Sequence, residues 1–214
     1  MTAPLWTGLM DPQMTQLPHR SRLMRCLFFF TLLLWSATPI LAQEPRWEPL
    51  GAGLAASIWQ PNERCPDIDR LLVIKVNPAL HRFSVHYFAQ EGLLHPPTID
   101  EWQKRTSHEI IFNAGLFREN FAYLGLLLKD GKSLGSRRHS TWQGLFVAEP
   151  SPQISAPKAG VLDLATDVFQ EETPAYLEAA QSLMLLDRKG TIRVRQTGKR
   201  AYQTVVAEDK DGHL

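Results

Sequence analysis

Residues 43–214 read as an α+β domain, a mixed and mostly antiparallel sheet with helices packed on it. Three observations carry this expectation. Apolar runs of strand length recur along the chain, several of them alternating with period two. Asp-Gly pairs stand between or after such runs, as tight hairpin turns require. Helical signals are few, and strands broken by few helices argue against a doubly wound parallel sheet.

The first 42 residues are set apart from this domain. Arg20, Arg22 and Arg25 precede the apolar run "CLFFFTLLLW", and a small-residue exit with Pro39 follows. This is the layout of a secretory signal with an N-terminal extension, cut after Ala42, with Met14 or Met24 as alternative starts. The run falls short of the roughly 20 apolar residues of a membrane span. An uncleaved anchor is the alternative; with cleavage, the chain keeps no stable membrane span and is exported, periplasmic or extracellular. Cys26 leaves with the signal, so Cys65 has no partner for an internal disulfide. Cys65 reads as structural or incidental rather than as a reactive thiol, since no histidine is placed by sequence to activate it.

Along the remaining chain, "WEPLGAGLAASIW" opens extended and glycine-broken, as a loop and strand. "RLLVIKVNP" is a second strand, stopped by Asn77-Pro78. "HRFSVHYFAQ" alternates Phe83, Val85 and Tyr87 against Arg82, Ser84 and His86, which predicts a half-buried strand pairing back in a hairpin. Thr98, Asp100 and Glu101 predict a helix start with a capping box. "EIIFNAGLF" reads as a strand and its loop, and "YLGLLLKDGKSL" as a hairpin turning at Asp130-Gly131. "QGLFVAEP" is another strand, and a proline-bearing connector runs to about Lys158. "TPAYLEAAQSLMLLD" predicts a helix passing into a strand near Leu183. "TIRVRQ" and "YQTVVAEDKDGHL" complete the strands. The second runs into an Asp-Gly turn with only His213 and Leu214 beyond it, so residues 204–208 are expected to form an unpaired edge or a frayed tail.

Charge excludes some functions. The formal net charge is +1 and the basic residues are scattered among acids, so no face is predicted to bind nucleic acid. No HExxH, CxxC, P-loop or dinucleotide fingerprint occurs, the GxSxG spacing at Gly131–Gly135 falls in the expected hairpin and not in a strand-to-helix elbow, and neither a metal nor a cofactor is expected. "GSRRHS", with Arg137, Arg138 and His139, reads as a solvated basic loop or an anion site. Glycosidic cleavage uses paired carboxylates. Glu109, Asp130, Glu149, Asp187, Glu208 and Asp209 are the candidates, and the sequence assigns no catalytic pair among them. Asn113-Ala114-Gly115 interrupts an apolar run. Such a loop binds a ligand through the amide and a close backbone approach, or Asn113 bonds its own backbone while Gly115 turns the chain.

The order "IIFNAGLF", "YLGLLLKDGK", "AAQSLMLLDRKG", "QTVVAEDKDG" resembles the phosphodiester glycosidase domain family, from about Leu71 to the last residue. That family includes the enzyme that uncovers mannose 6-phosphate tags and many bacterial secreted proteins. The resemblance implies a hydrolase that cleaves a sugar-1-phosphodiester in an envelope or exopolysaccharide glycan. Its ligand would be a carbohydrate or sugar phosphate. It places Asn113, Gly115 and Phe117 at the site, with Gln181 and Ser182 lining the same cleft. Gln203-Thr204 stands where the family carries Arg-Thr, and the family's closing Asp-Gly-Gly segment has no counterpart before Leu214. The resemblance therefore implies a domain incomplete at its C-terminus, with a noncatalytic carbohydrate- or phosphate-binding module or an inactive remnant as alternatives.

Overall fold

The computed structural model describes residues 45–61, 68, 70–195, 198 and 203–214. The signal segment, Cys65 and Arg200 lie outside the described residues. Among those residues the architecture is strand-dominated: two antiparallel sheets, one α-helix and a short 3-10 turn.

Strands β1 (Glu48–Gly51), β2 (Leu54–Trp59) and β3 (Leu71–Val76) form one sheet in that order. The main sheet holds β4 (Leu127–Lys129), β5 (Lys132–Ser133), β6 (Gly144–Pro150), β7 (Ala159–Asp163) and β8 (Tyr176–Ser182). Its order is β5-β4-β8-β6-β7, and every pairing is antiparallel. The β4–β5 turn forms as expected, with Asp130 at φ 49° and Gly131 at φ 73°. Positive φ at both central residues is the geometry that lets a two-residue turn follow strand twist.

Strand β8 lies at the centre and corrects the helix expected over this stretch. Ala, Leu, Glu and Gln favour a helix locally, but propensity yields to tertiary pairing. Ala179 stands between Leu128 and Val147, and Ala180 between Leu127 and Phe146. Small residues flanked by large ones let three strands interdigitate on both faces. One face packs Leu126, Leu128, Leu145, Val147, Leu164, Phe169 and Tyr176 around Ala179. The other packs Tyr123, Leu127 and Ala180 beneath Val85, Tyr87, Ala114 and Leu134.

The hairpin expected between β3 and residues 82–87 is also corrected. β3 pairs with β2 instead, and a 3-10 turn, Pro78–Leu80, separates it from the next segment. Residues 82–87 are not in a strand ladder. Side chains bind their backbone instead: Phe83 N–H donates to Glu149 Oε1 (2.9 Å), and Val85 N–H to Glu178 Oε2 (2.7 Å). Lys129 Nζ donates to Val85 O (2.7 Å). Residues 109–112 and 203–208 likewise form no strand, whereas 159–163, directly after the expected connector, do. The stretch at Ile192 is reduced to a single bridge with Leu186. After the final turn Leu214 exchanges two backbone bonds with Val76 (2.7 and 3.0 Å), so the edge of β3 is paired there.

The helix α1 (Ile99–Thr106) has the expected capping box: Thr98 Oγ1 accepts from Glu101 N–H and the Glu101 carboxylate accepts from Thr98 N–H (2.8 Å). It ends at Ser107, in the left-handed region at φ 55°.

Gln181 fastens the main sheet to the loop before β6. It is 0 % exposed. Its Oε1 accepts from Leu126 N–H (3.0 Å) and His139 N–H (2.8 Å). Its Nε2 donates to His139 O (2.9 Å) and Trp142 O (2.7 Å). Gln181→Ala would strand several of these backbone groups together, so we expect a loss of about 3 kcal/mol. Urea unfolding measures it as a lower midpoint at unchanged slope; a loss below about 1 kcal/mol would show that the amide is dispensable.

Candidate functional site

The alternation in residues 82–87 directs its two sides differently even without a ladder. Phe83, Val85 and Tyr87 pack inward: Phe83 meets Phe146 edge-on, and Val85 and Tyr87 cover the Tyr123 cluster. Arg82, Ser84 and His86 line a pocket whose other wall is Arg105 and Thr106 of α1, with Glu91 and His108. The turn at Ser107 brings His108 back toward the segment. His86 Nε2 and His108 Nε2 lie 2.9 Å apart, and His86 Nδ1 lies 2.7 Å from Glu91 Oε1. With His86 donating through Nδ1 to the carboxylate, the two Nε2 atoms share one proton, and Glu91, His86 and His108 form a chain along which a proton can move.

Electrostatics here favour anions. Desolvation first, then His86 and Lys129, hold the His108 imidazole below the usual histidine range. Arg82 and Arg105 have no hydrogen-bond or ion-pair partner among the described residues. The one carboxylate in the pocket, Glu91, is already engaged by His86.

A cavity of about 710 Å³ adjoins this pocket and shares Arg82, Ser84, His86, Thr106 and His108 with it. Its further wall includes Trp102, Phe112, Asn113, Phe117, Tyr123 and Glu178. Asn113 and Phe117 are thus brought to one cavity. Asn113 Oδ1 also accepts weakly from Gly115 N–H (3.4 Å), a local turn. Gly115 does not take a positive φ. Its role is close approach, because a Cβ there would collide with the Tyr123 hydroxyl and lie 2.8 Å from Cζ. That hydroxyl donates to Gln181 O (2.7 Å), and burial holds the phenol well above its ordinary pKa.

The remaining expected site residues are elsewhere. Gln181 is sealed in the core with both amide atoms bonded, which corrects its expected place in the cleft. Ser182 pairs with Gly144 on β6, and Gln203 and Thr204 are exposed in the final segment; none of the three lines the cavity. Of the six acids, Glu109 lines the cavity. Glu149 binds Phe83 N–H and Lys158, Glu208 binds Val161 N–H, and Asp187 binds its own turn and Arg193. Asp130 holds the β4–β5 turn. Asp209 pairs with Lys75 (2.8 Å), which with neighbouring N–H groups keeps its carboxyl well below the usual range. Asp211 and His213 lie close to Asp209, a grouping that sequence spacing did not single out. In "GSRRHS", His139 stacks on Trp142 and Arg138 donates to Leu164 O, so these two serve the loop's packing.

The histidine pair, Glu91, Arg82, Arg105 and Glu178 were not singled out from sequence. The alternation at 82–87 was the available signal for three pocket residues; nothing local indicated that His108 would meet His86. Comparison with protein-family models, with curated proteins and with solved structures gave no match.

A lowered pKa at His108 sets a sign for stability. The unfolded imidazole takes up its proton near its ordinary 6.5, and the folded one only at lower pH. The stabilising difference is present above 6.5 and is lost as pH falls through the folded pKa. Thermal unfolding is expected to show this decline, and His108→Asn to flatten it; an unchanged slope in that variant would refute the assignment.

Proposed function

We propose that the chain is an exported glycosidase-like hydrolase that frees a sugar from a sugar-1-phosphodiester of an envelope or exopolysaccharide glycan. The observation that carries this reading is the joining of two unlike half-sites. One is an aromatic-walled cavity with an amide, Asn113, and a carboxylate, Glu109. The other is a pocket with two arginines and two imidazoles. Aromatic faces with a few polar groups suit a sugar ring, and arginines suit a phosphate. A volume of about 710 Å³ is ample for a sugar with part of its ester. The motif order in the sequence supports the same substrate class. Among the described residues no helix is long and apolar enough to cross a membrane.

In hydrolysis water would supply a hydroxyl to the anomeric carbon, and the bond from that carbon to the bridging oxygen would break. The electron pair stays with the phosphate, which leaves as a monoester, and the proton lost by water passes to a cavity base. Glu109 and the His86–His108 pair are the groups placed to exchange it.

The purified protein should release free sugar from an N-acetylglucosamine-1-phosphodiester or a related envelope ester. Asn113→Ala should slow turnover about tenfold, and Glu109→Gln about a hundredfold or more. No sugar release across a broad panel by folded protein would overturn the hydrolase reading. Binding of the same esters without turnover would instead favour a carbohydrate- or phosphate-binding module.

A further inference from the structure

We propose that Arg82, Arg105, His86 and His108 form an oxyanion-binding subsite for the two non-bridging oxygens of a phosphodiester, and that a proton shared by the histidines tunes its affinity. The choice of a diester rests on the phosphodiester reading above; the oxyanion chemistry rests on the pocket itself. Arg82 comes from the clamped segment and Arg105 from the last turn of α1, so two separate elements deliver guanidinium groups to one concavity. Neither has a partner among the described residues. Converging cations left unpaired in a pocket are the complement of an anion, since each guanidinium offers a planar fork of donors.

The imidazoles add a charge that depends on pH. His86 faces Glu91 and His108, and His108 faces His86, with Lys129 of β4 close enough to repel its proton. Lys129 is itself held by Ser84 Oγ (2.9 Å) and Val85 O. Glu109 and Glu178 lie on the wall of the adjoining cavity. In the free protein His108 resists protonation through desolvation first and through its basic neighbours His86 and Lys129 next. An oxyanion between the arginines reverses the local sign, so bound diester and a second imidazole proton favour one another. By linkage, diester affinity rises as pH falls through the histidine range, and bound diester raises the pKa of His108.

Dimethyl phosphate tests this, because its single charge is constant across the histidine range of about pH 5–8. Titration of the full chain, followed by the His86 and His108 ring proton resonances, should show binding that tightens about tenfold from pH 8 to pH 5. His108 should titrate higher in the complex than in the free protein. Arg82→Ala and Arg105→Ala should each weaken binding about tenfold. Both side chains are exposed, and an unchanged far-ultraviolet spectrum shows that each variant is folded.

Absence of binding, or binding indifferent to both arginine substitutions, overturns the subsite. Arginine-dependent binding that is flat with pH overturns the role of the histidines. Inorganic phosphate binding without diester binding overturns the diester assignment in favour of a terminal phosphate. Sugar release unaltered in the arginine variants would sink the subsite and leave the hydrolase reading standing. Arginine-dependent diester binding in a protein without turnover would do the reverse.

Discussion

The candidate site depends on one constraint: carboxylates of the main sheet bind the backbone of residues 82–87. Glu149 on β6 takes Phe83 N–H, Glu178 on β8 takes Val85 N–H, and Lys129 on β4 holds Val85 O. Three strands of the sheet thus supply the partners that a neighbouring strand would otherwise supply. The consequence is geometric. A segment in a ladder would have its outward side chains arrayed along a sheet surface. Held from beneath by side chains, it can stand off the sheet and leave a cavity between itself, α1 and the 109–117 loop. Glu178 is buried at 4 % exposure, and desolvation, the largest effect, raises its pKa despite two backbone donors. Its hydrogen bonds are thus made against a solvation cost, a reason for the clamp to be structurally sensitive.

What could be read from the sequence was local. Asp130-Gly131, the Thr98 capping box and the 144–150 strand each have causes within a few residues, and each is found in the structure. Failures came where distant partners decide. Nothing within residues 173–187 reports that Ala179 and Ala180 will fit between large residues of two other strands. The alternation at 82–87 correctly separated inward from outward side chains, yet the inferred ladder was replaced by acids more than 60 residues away. The 82–87 side of the cavity wall was therefore legible as a pattern, and its partners were not.

The Asn113–Phe117 loop shows how packing and function overlap. Gly115 is required by the Tyr123 ring, and Tyr123 reaches Gln181, whose amide holds the loop at 139–142. Motifs that accompany one another in sequence can do so because they are stacked in one core. In this chain the Asn-Ala-Gly and Gln-Ser stretches are joined by that chain of contacts. It leaves Asn113, Ala114 and Phe117 as the loop's contribution to the cavity.

Charge bookkeeping by composition misses the feature that gives the pocket its sign. A formal net charge of +1 predicts little by itself. The relevant quantity is which charges remain after folding has used the others. Glu149, Glu178, Glu208, Asp187 and Asp209 are all engaged with backbone donors or basic side chains. Glu91 is engaged with His86. Arg82 and Arg105 have no such partner among the described residues, and they face the same concavity. A nearly neutral chain thereby presents a local cationic site, because these acids hold the scaffold while Arg82 and Arg105 do not.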